Sequence, residues 1–191
     1  MKPWLFNSIY AILIAVLSPW LLWRCWRTGR YREGLKQKFL GLDPKEWNNS
    51  KHLFSADSPL DPGSSPSIWL HGVSVGEVQL LIPLMESIQQ NLPSSQLVLS
   101  TTTVSGMELA EKLLAKRMPE VKCFYFPLDF SWSVKRTLAT LQPDLLITGE
   151  LELWPNLIAE VARREVPILV ANGRLSEKSY RGYRRLSMLT R

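Results

Sequence analysis

Residues 69–78 read WLHGVSVGEV, an apolar run that breaks at a glycine-containing turn and resumes as a helix-like pattern. Ser74 stands at the break and Glu77 three residues later. A serine followed at that spacing by a glutamate is the capping box, in which hydroxyl and carboxylate satisfy the orphan amides of a helix start. The stretch therefore reads as a strand end and a helix start placed back to back. A second reading of Glu77 arises from the same geometry. Helix-end amides hold a carboxylate ionised and point it beyond the strand, where it can take a proton from a hydroxyl.

Working outward, the pattern repeats. Short apolar runs at 67–73, 96–103, 121–128, 144–150 and 167–175 read as buried strands. Helical stretches at 77–91, 105–117, 130–141 and 154–165 lie between them, with a last one near 176–190. Strands and helices that alternate in this way predict an α/β fold, a Rossmann-like parallel β-sheet sandwich with helices on both faces. Ligands of such sheets bind in the crevice beyond the carboxyl ends of the strands. Ser74, Gly76 and Glu77 fall there after the first strand, and Thr101, Thr102, Thr103 and Ser105 after the second. Asp129 follows the third, Glu150 and Glu152 the fourth, Asn172 and Arg174 the fifth.

Each motif also has a plain reading. STTTVSG, residues 100–106, offers hydroxyls and helix-start amides to phosphate or sugar oxygens, and equally reads as a threonine-rich strand end with a cap. Ser105 and Glu108 fit a second capping box. In GELELWPNL, residues 149–157, Glu150 and Glu152 share a face if the strand continues, and Pro155 suits the first turn of the next helix. Arg174 is a candidate partner for these carboxylates, and a structural bridge accounts for the pair as well as catalysis does. His71 reads as a hydrogen-bonded core or strand-end histidine. The other histidine, His52, lies far away, so no metal site is expected. GxGxxG, GxxxxGK[ST] and GxSxG are all missing, which disfavours dinucleotide, P-loop and serine-hydrolase chemistry, a Rossmann-type nucleotide-sugar epimerase or reductase included.

The formal net charge of +6 is localised. Lys2, Arg24, Arg27, Arg30, Arg32, Lys36 and Lys38 against Glu33 account for all of it within residues 1–40, and the remaining 16 basic and 16 acidic side chains cancel. A nucleic-acid partner calls for a basic stripe on the folded body and is not expected. The basic cluster instead follows Trp4–Trp23, 20 residues without a charge and flanked by tryptophans. That is the length and flanking of a membrane helix whose basic side faces the cytoplasm. Asn7, Ser8, Ser18 and Pro19 weaken the span, and a helix lying in the interface or capping the domain is the other reading. The charge order differs from that of a cleaved signal peptide. Cys25 and Cys123 form no CxxC pair, consistent with a reducing compartment. The expected organisation is an anchor helix and basic juxtamembrane segment over 1–40, a Pro/Ser-rich linker or insertion over 41–66, and the Rossmann-like domain over 67–191.

LHGVSVGE, STTTVSG, YFPLD, ELELWPNL and ANGRLSEKSYRGY, in that order and spacing, resemble the N-terminal half of the 3-deoxy-D-manno-octulosonic acid (Kdo) transferases. These are membrane-associated glycosyltransferases of GT-B fold. The resemblance implies Glu77 as catalytic base, deprotonating the acceptor hydroxyl that attacks the anomeric carbon of CMP-Kdo, with no metal or other cofactor. It implies substrate contacts from Ser74, Gly76, Thr102, Thr103, Glu152, Asn172 and Arg174. It further implies a lipid A precursor as acceptor, membrane lipids as surroundings, an inner-membrane location with the domain facing the cytoplasm, and a C-terminal donor-binding domain expected to be absent after Arg191. Val104-Ser105 stands where the family usually has Pro-Thr, and 41–66 is long, which leaves the acceptor open. The rival expectation is a non-catalytic membrane module, a degenerate half-enzyme that binds lipid or a partner.

Overall fold

The computed structural model describes residues 3–28, 33–49, 65–152 and 154–173. Five strands, β1 (Ser67–His71), β2 (Gln96–Thr101), β3 (Lys122–Tyr125), β4 (Leu145–Thr148) and β5 (Ile168–Val170), form one parallel sheet in the order β3-β2-β1-β4-β5. Helices α4 (Val75–Asn91), α5 (Val104–Arg117), α6 (Ser131–Leu141) and α7 (Pro155–Arg163) connect them. The Rossmann-like α/β expectation therefore holds for the sheet and its crossovers. The helix expected near 176–190 lies outside the described residues.

The strands are largely apolar because both faces of β1 to β4 are covered, and the two-residue period of a strand splits each run between two cores; β5, at the edge, leaves Ile168 and Leu169 exposed. Ile68, Leu70, Leu97, Leu99 and Ile147 pack with Val78, Leu81, Ile82 and Met85 of α4 and with Ala110 and Leu114 of α5. Trp69, Val98, Phe124 and Leu146 face the other way, against Val134 and Leu138 of α6 and Leu157 and Val161 of α7. Trp69 is fully buried, its ring 5.8 Å from both Phe124 and Phe126. Burial of such a side chain stabilises the fold by roughly 1.5–3 kcal/mol.

Within the stretch expected as linker, residues 41–49 are ordered against this second core. Helix α2 (Leu35–Leu40) ends at Gly41, whose φ of 75° lets the chain turn sharply where a Cβ would meet the Ser133 carbonyl at 2.3 Å. The turn delivers Leu42 into the core at 3% exposure. Helix α3 (Pro44–Asn49) then sets Trp47 edge-on to Phe124, 5.7 Å away.

The N-terminal helix α1 (Pro3–Thr28) forms, but the expected membrane-spanning helix is not supported. Among the described residues no helix is long and apolar enough to cross a membrane. One of the polar residues that interrupt the apolar run, Asn7, has another use: with Tyr10 it docks α1 on α6 and α7. Asn7 Nδ2 donates to Ser131 Oγ at 2.8 Å, while Asn7 Oδ1 accepts from the Ser131 amide at 3.0 Å and from Asn156 Nδ2 at 3.2 Å. Tyr10 donates its hydroxyl hydrogen to Asp129 at 2.9 Å. Ser8 and Ser18 bond back to helix carbonyls, and Pro19 lies inside the helix. Trp4, Leu5, Ile12, Leu13 and Val16 remain exposed.

Asp129, which the sequence places at the crevice, is the clamp of this assembly. Trp154, the N-cap residue of α7, makes no capping bond with its side chain, so the α7 amides are met from outside the helix. Asn156 N–H reaches Asp129 Oδ2 at 3.0 Å and Leu157 N–H reaches Oδ1 at 2.8 Å. Burial pushes the Asp129 carboxyl above its usual range, against the pull of those amides and of Tyr10. Asp129→Ala removes a cap and three donors' partner at once, and should lower unfolding stability by about 2–4 kcal/mol in urea titrations, against about 1 kcal/mol for Tyr10→Phe. Equal midpoints for Asp129→Ala and the wild type would contradict this role.

Candidate active site at the β1–β4 switch point

In this strand order β1 is the branch strand: the chain leaves it for β2 on one side and comes back to β4 on the other. The connections diverge there and open a crevice above the carboxyl ends of β1 and β4, the place where open α/β sheets bind ligands. The pairing continues past both strand ends, with Gly149 N–H donating to His71 O at 2.7 Å and Gly72 N–H to Ser100 O at 3.0 Å.

Glu77 sits in the first turn of α4 beside this opening, 9% exposed. Ser74 is the N-cap and accepts from Glu77 N–H at 3.5 Å, as the capping pattern requires. The carboxylate does not return to the Ser74 amide as in an ordinary capping box. It reaches one residue further: Oε2 accepts from Val73 N–H at 3.0 Å and Oε1 from the Ser74 hydroxyl at 2.9 Å. A carboxylate offers about four acceptor positions, so two protein donors leave it able to accept another. The side chain lies flat on Gly149, where an added Cβ would stand 3.3 Å from Glu77 Cβ and 3.4 Å from Oε2. A glycine at the end of β4 gives Glu77 its place over the crevice.

The threonines act beneath it. Thr101 and Thr103 hydroxyls both donate to Val73 O at 3.2 Å, fixing the peptide whose neighbouring amide binds Glu77. Thr103 is also the N-cap of α5, accepting from Gly106 N–H at 3.1 Å, so the capping box expected at Ser105 and Glu108 is displaced by two residues. Thr102 Oγ1 is buried without a hydrogen-bond partner among the described residues. Gly76 has open space above its Cα, a Cβ there meeting only Ser74 Oγ at 3.9 Å.

Glu152 lies further along the same edge. Its Oε2 is 3.0 Å from His71 Nε2 and accepts from Trp154 Nε1 at 3.1 Å. Burial opposes ionisation, but the imidazole and the indole N–H outweigh it and hold the carboxyl below its ordinary range. Glu150 is exposed, and Asn172 is tied to the site by its backbone, N–H to Gly149 O at 3.1 Å. Arg174, with the bridge expected for it, lies outside the described residues. The structure thus gathers Ser74, Gly76, Glu77 and Thr103 around one turn and sets Glu152 and Asn172 on the β4 side of it. Sequence reasoning missed the pairing of His71 with Glu152. Its only trace is period: His71 follows Trp69 by two residues, and so faces the α6 and α7 side.

The fold and this site define a Rossmann-like α/β domain with a carboxylate at the crevice of its topological switch point. The chain belongs to the 3-deoxy-D-manno-octulosonic-acid transferase (kdotransferase) family, whose N-terminal family model matches residues 33–191. It is 32% identical over 185 residues to the 3-deoxy-D-manno-octulosonic acid transferase of Haemophilus influenzae, covering 94% of this chain and 39% of that protein. Against the transferase of the same name from Chlamydia pneumoniae it is 30% identical over 189 residues, 97% of this chain and 39% of the relative. A probable mitochondrial 3-deoxy-D-manno-octulosonic acid transferase of Arabidopsis thaliana matches at 34% over 121 residues, 63% of this chain and 26% of the relative. The chain therefore spans about two fifths of the length of the bacterial relatives it matches.

A carboxyl held below its unfolded value of 4.5 contributes stability that is complete above that pH and is lost as pH falls through the lowered folded value. Glu152→Gln should accordingly flatten the fall in urea midpoint as the pH drops below 4.5, with little effect on its slope above that. An unchanged acid limb would show that Glu152 has no such linkage.

Proposed function

We propose that this chain is the acceptor-binding half of a Kdo transferase and that Glu77 is its catalytic base. Family membership supports the reaction class. The observation that carries the residue assignment is the placement of Glu77: a carboxylate at the switch-point crevice, held by one amide and one hydroxyl, with acceptor capacity left over.

In the reaction, the acceptor hydroxyl gives its proton to Glu77 as its oxygen forms a bond to the anomeric carbon of Kdo. The bond from that carbon to the CMP phosphate breaks, and the phosphate oxygen leaves with the electron pair. Positioned general-base assistance of this kind contributes typically 10²–10⁴-fold to rate. CMP-Kdo is assigned to the part of the enzyme beyond the matched region, since the relatives are much longer. The acceptor is a lipid A precursor. Ser74, Gly76, Thr102, Thr103, Glu152 and Asn172 line its sugar, and Arg174 with the basic residues around it suits its phosphates.

The exposed apolar face of α1 then rests on the membrane surface rather than crossing it. Trp4, Leu5, Ile12, Leu13 and Val16 meet the acyl boundary at the cytoplasmic leaflet of the inner membrane, and the basic sequence from Arg24 to Arg32 supplies charge opposite to that of anionic headgroups. Such a pose presents the crevice to a lipid whose sugar projects from the same surface.

Radiolabelled Kdo transfer to a lipid A precursor, measured with the full-length enzyme, tests the reading. Glu77→Gln should lower turnover about 10²–10⁴-fold with the circular dichroism spectrum unchanged. Activity within a few-fold of wild type would remove Glu77 from the chemistry, and lost folding would make it a cap alone. The 191 residues by themselves should bind acceptor and transfer nothing; transfer without any added chain would refute the assignment to an acceptor half.

A further inference from the structure

Under the crevice lies a line of buried polar groups that the proposed reaction does not use. Trp69 Nε1 donates to Ser100 Oγ at 2.8 Å, and Ser100 Oγ is 2.9 Å from His71 Nδ1. His71 is fully buried and stacks on Phe126 with ring centroids 3.7 Å apart and planes at 20°. Its other nitrogen faces Glu152. A buried polar side chain is expensive unless it is partnered, and a three-residue line ending on a carboxylate at the crevice needs a reason to exist there.

The hydrogens can be assigned along the line. The Trp69 N–H occupies Ser100 Oγ as acceptor, which leaves the serine's own hydrogen to donate. Of the two acceptors in reach, His71 Nδ1 at 2.9 Å is nearer than Leu70 O at 3.4 Å. Nδ1 is then unprotonated and the imidazole hydrogen sits on Nε2, toward Glu152. If the ring carries both hydrogens, Nδ1–H turns to Ser100 O at 3.2 Å and Nε2–H still meets Glu152. The Nε2 to Oε2 approach is 3.0 Å, and Trp154 Nε1 donates to the same oxygen. Among the described residues only Oε2 is engaged, and Oε1 is left for a ligand.

We infer that His71 is a positioning residue: backed by Ser100 and Trp69, it fixes the Glu152 carboxylate so that its free oxygen receives a hydroxyl of the acceptor sugar. An ionised carboxylate accepts hydrogen bonds and repels phosphate, so this end of the crevice selects the sugar ring of the acceptor and not its phosphates. The role rests on the transferase reading for its substrate, whereas the His71–Glu152 coupling stands on the geometry alone.

Two measurements separate these parts. In ¹⁵N-histidine NMR of the 191-residue chain, where His52 and His71 give the histidine signals, His71 should show hydrogen on Nε2, and Glu152→Gln should move that signal. No response to Glu152→Gln would overturn the coupling. In the full-length enzyme, Ser100→Ala and His71→Asn should raise KM for the lipid acceptor about tenfold or more and leave KM for CMP-Kdo unchanged. Equal effects on both substrates, or none on either, would reduce His71 to a packing role. Should His71→Asn fail to fold, Ser100→Ala, which removes a single oxygen, decides the point. A wild-type enzyme that transfers no Kdo while the NMR coupling persists would refute the transferase reading and not the relay.

Discussion

The pairing of β1 with β4 is the constraint on which the site depends. Had β4 joined the sheet beyond β3, the crossovers would all run one way and no crevice would open over the end of β1. Because β4 lies against the other edge of β1, Gly149 comes to rest beneath Glu77 and Glu152 comes within reach of His71. One choice of neighbour thus brings Glu77 against Gly149, 72 positions away, and His71 against Glu152, 81 positions away.

The two carboxylates at that opening are held in different ways. Glu77 is gripped by groups of its own turn, Val73 N–H and Ser74 Oγ, which keep it over the crevice while the threonines at the end of β2 anchor Val73 from below. Glu152 belongs to an irregular segment and draws its order from the far side of β1, through an imidazole that is itself locked by stacking and by Ser100. Locally held and remotely held acids suit different tasks. In the proposed reaction the first takes the proton of an arriving hydroxyl and the second, fixed in advance, positions the sugar.

Much of the fold was legible because a largely covered parallel sheet writes itself as short apolar runs, and the start of α4 carries its cap in sequence. The end of β1 and the start of α4 both followed from WLHGVSVGEV to within two residues, as did the place of Glu77 in the first turn of α4. What was illegible is what depends on strand order. The β1–β4 adjacency has no local signature, and so the contact of His71 with Glu152 could not be foreseen. The apolar N-terminus misled for a related reason. Charge-free length measures fitness for a membrane, whereas Asn7 and Tyr10 declare their purpose only once Asp129, Ser131 and Asn156 are brought alongside from more than 100 residues away. Capping of α7 by Asp129 is likewise a contact between segments, invisible to any local pattern.

A crystal structure of the chain with a lipid A precursor saccharide is the most direct measurement of the central claim. The account predicts an acceptor hydroxyl within about 2.6–3.2 Å of a Glu77 carboxylate oxygen, above Gly149 at the β1–β4 opening. A saccharide seated instead in the recess between α3, α5 and β3, walled by Trp47, Glu111 and Lys122 and remote from Glu77, would contradict it.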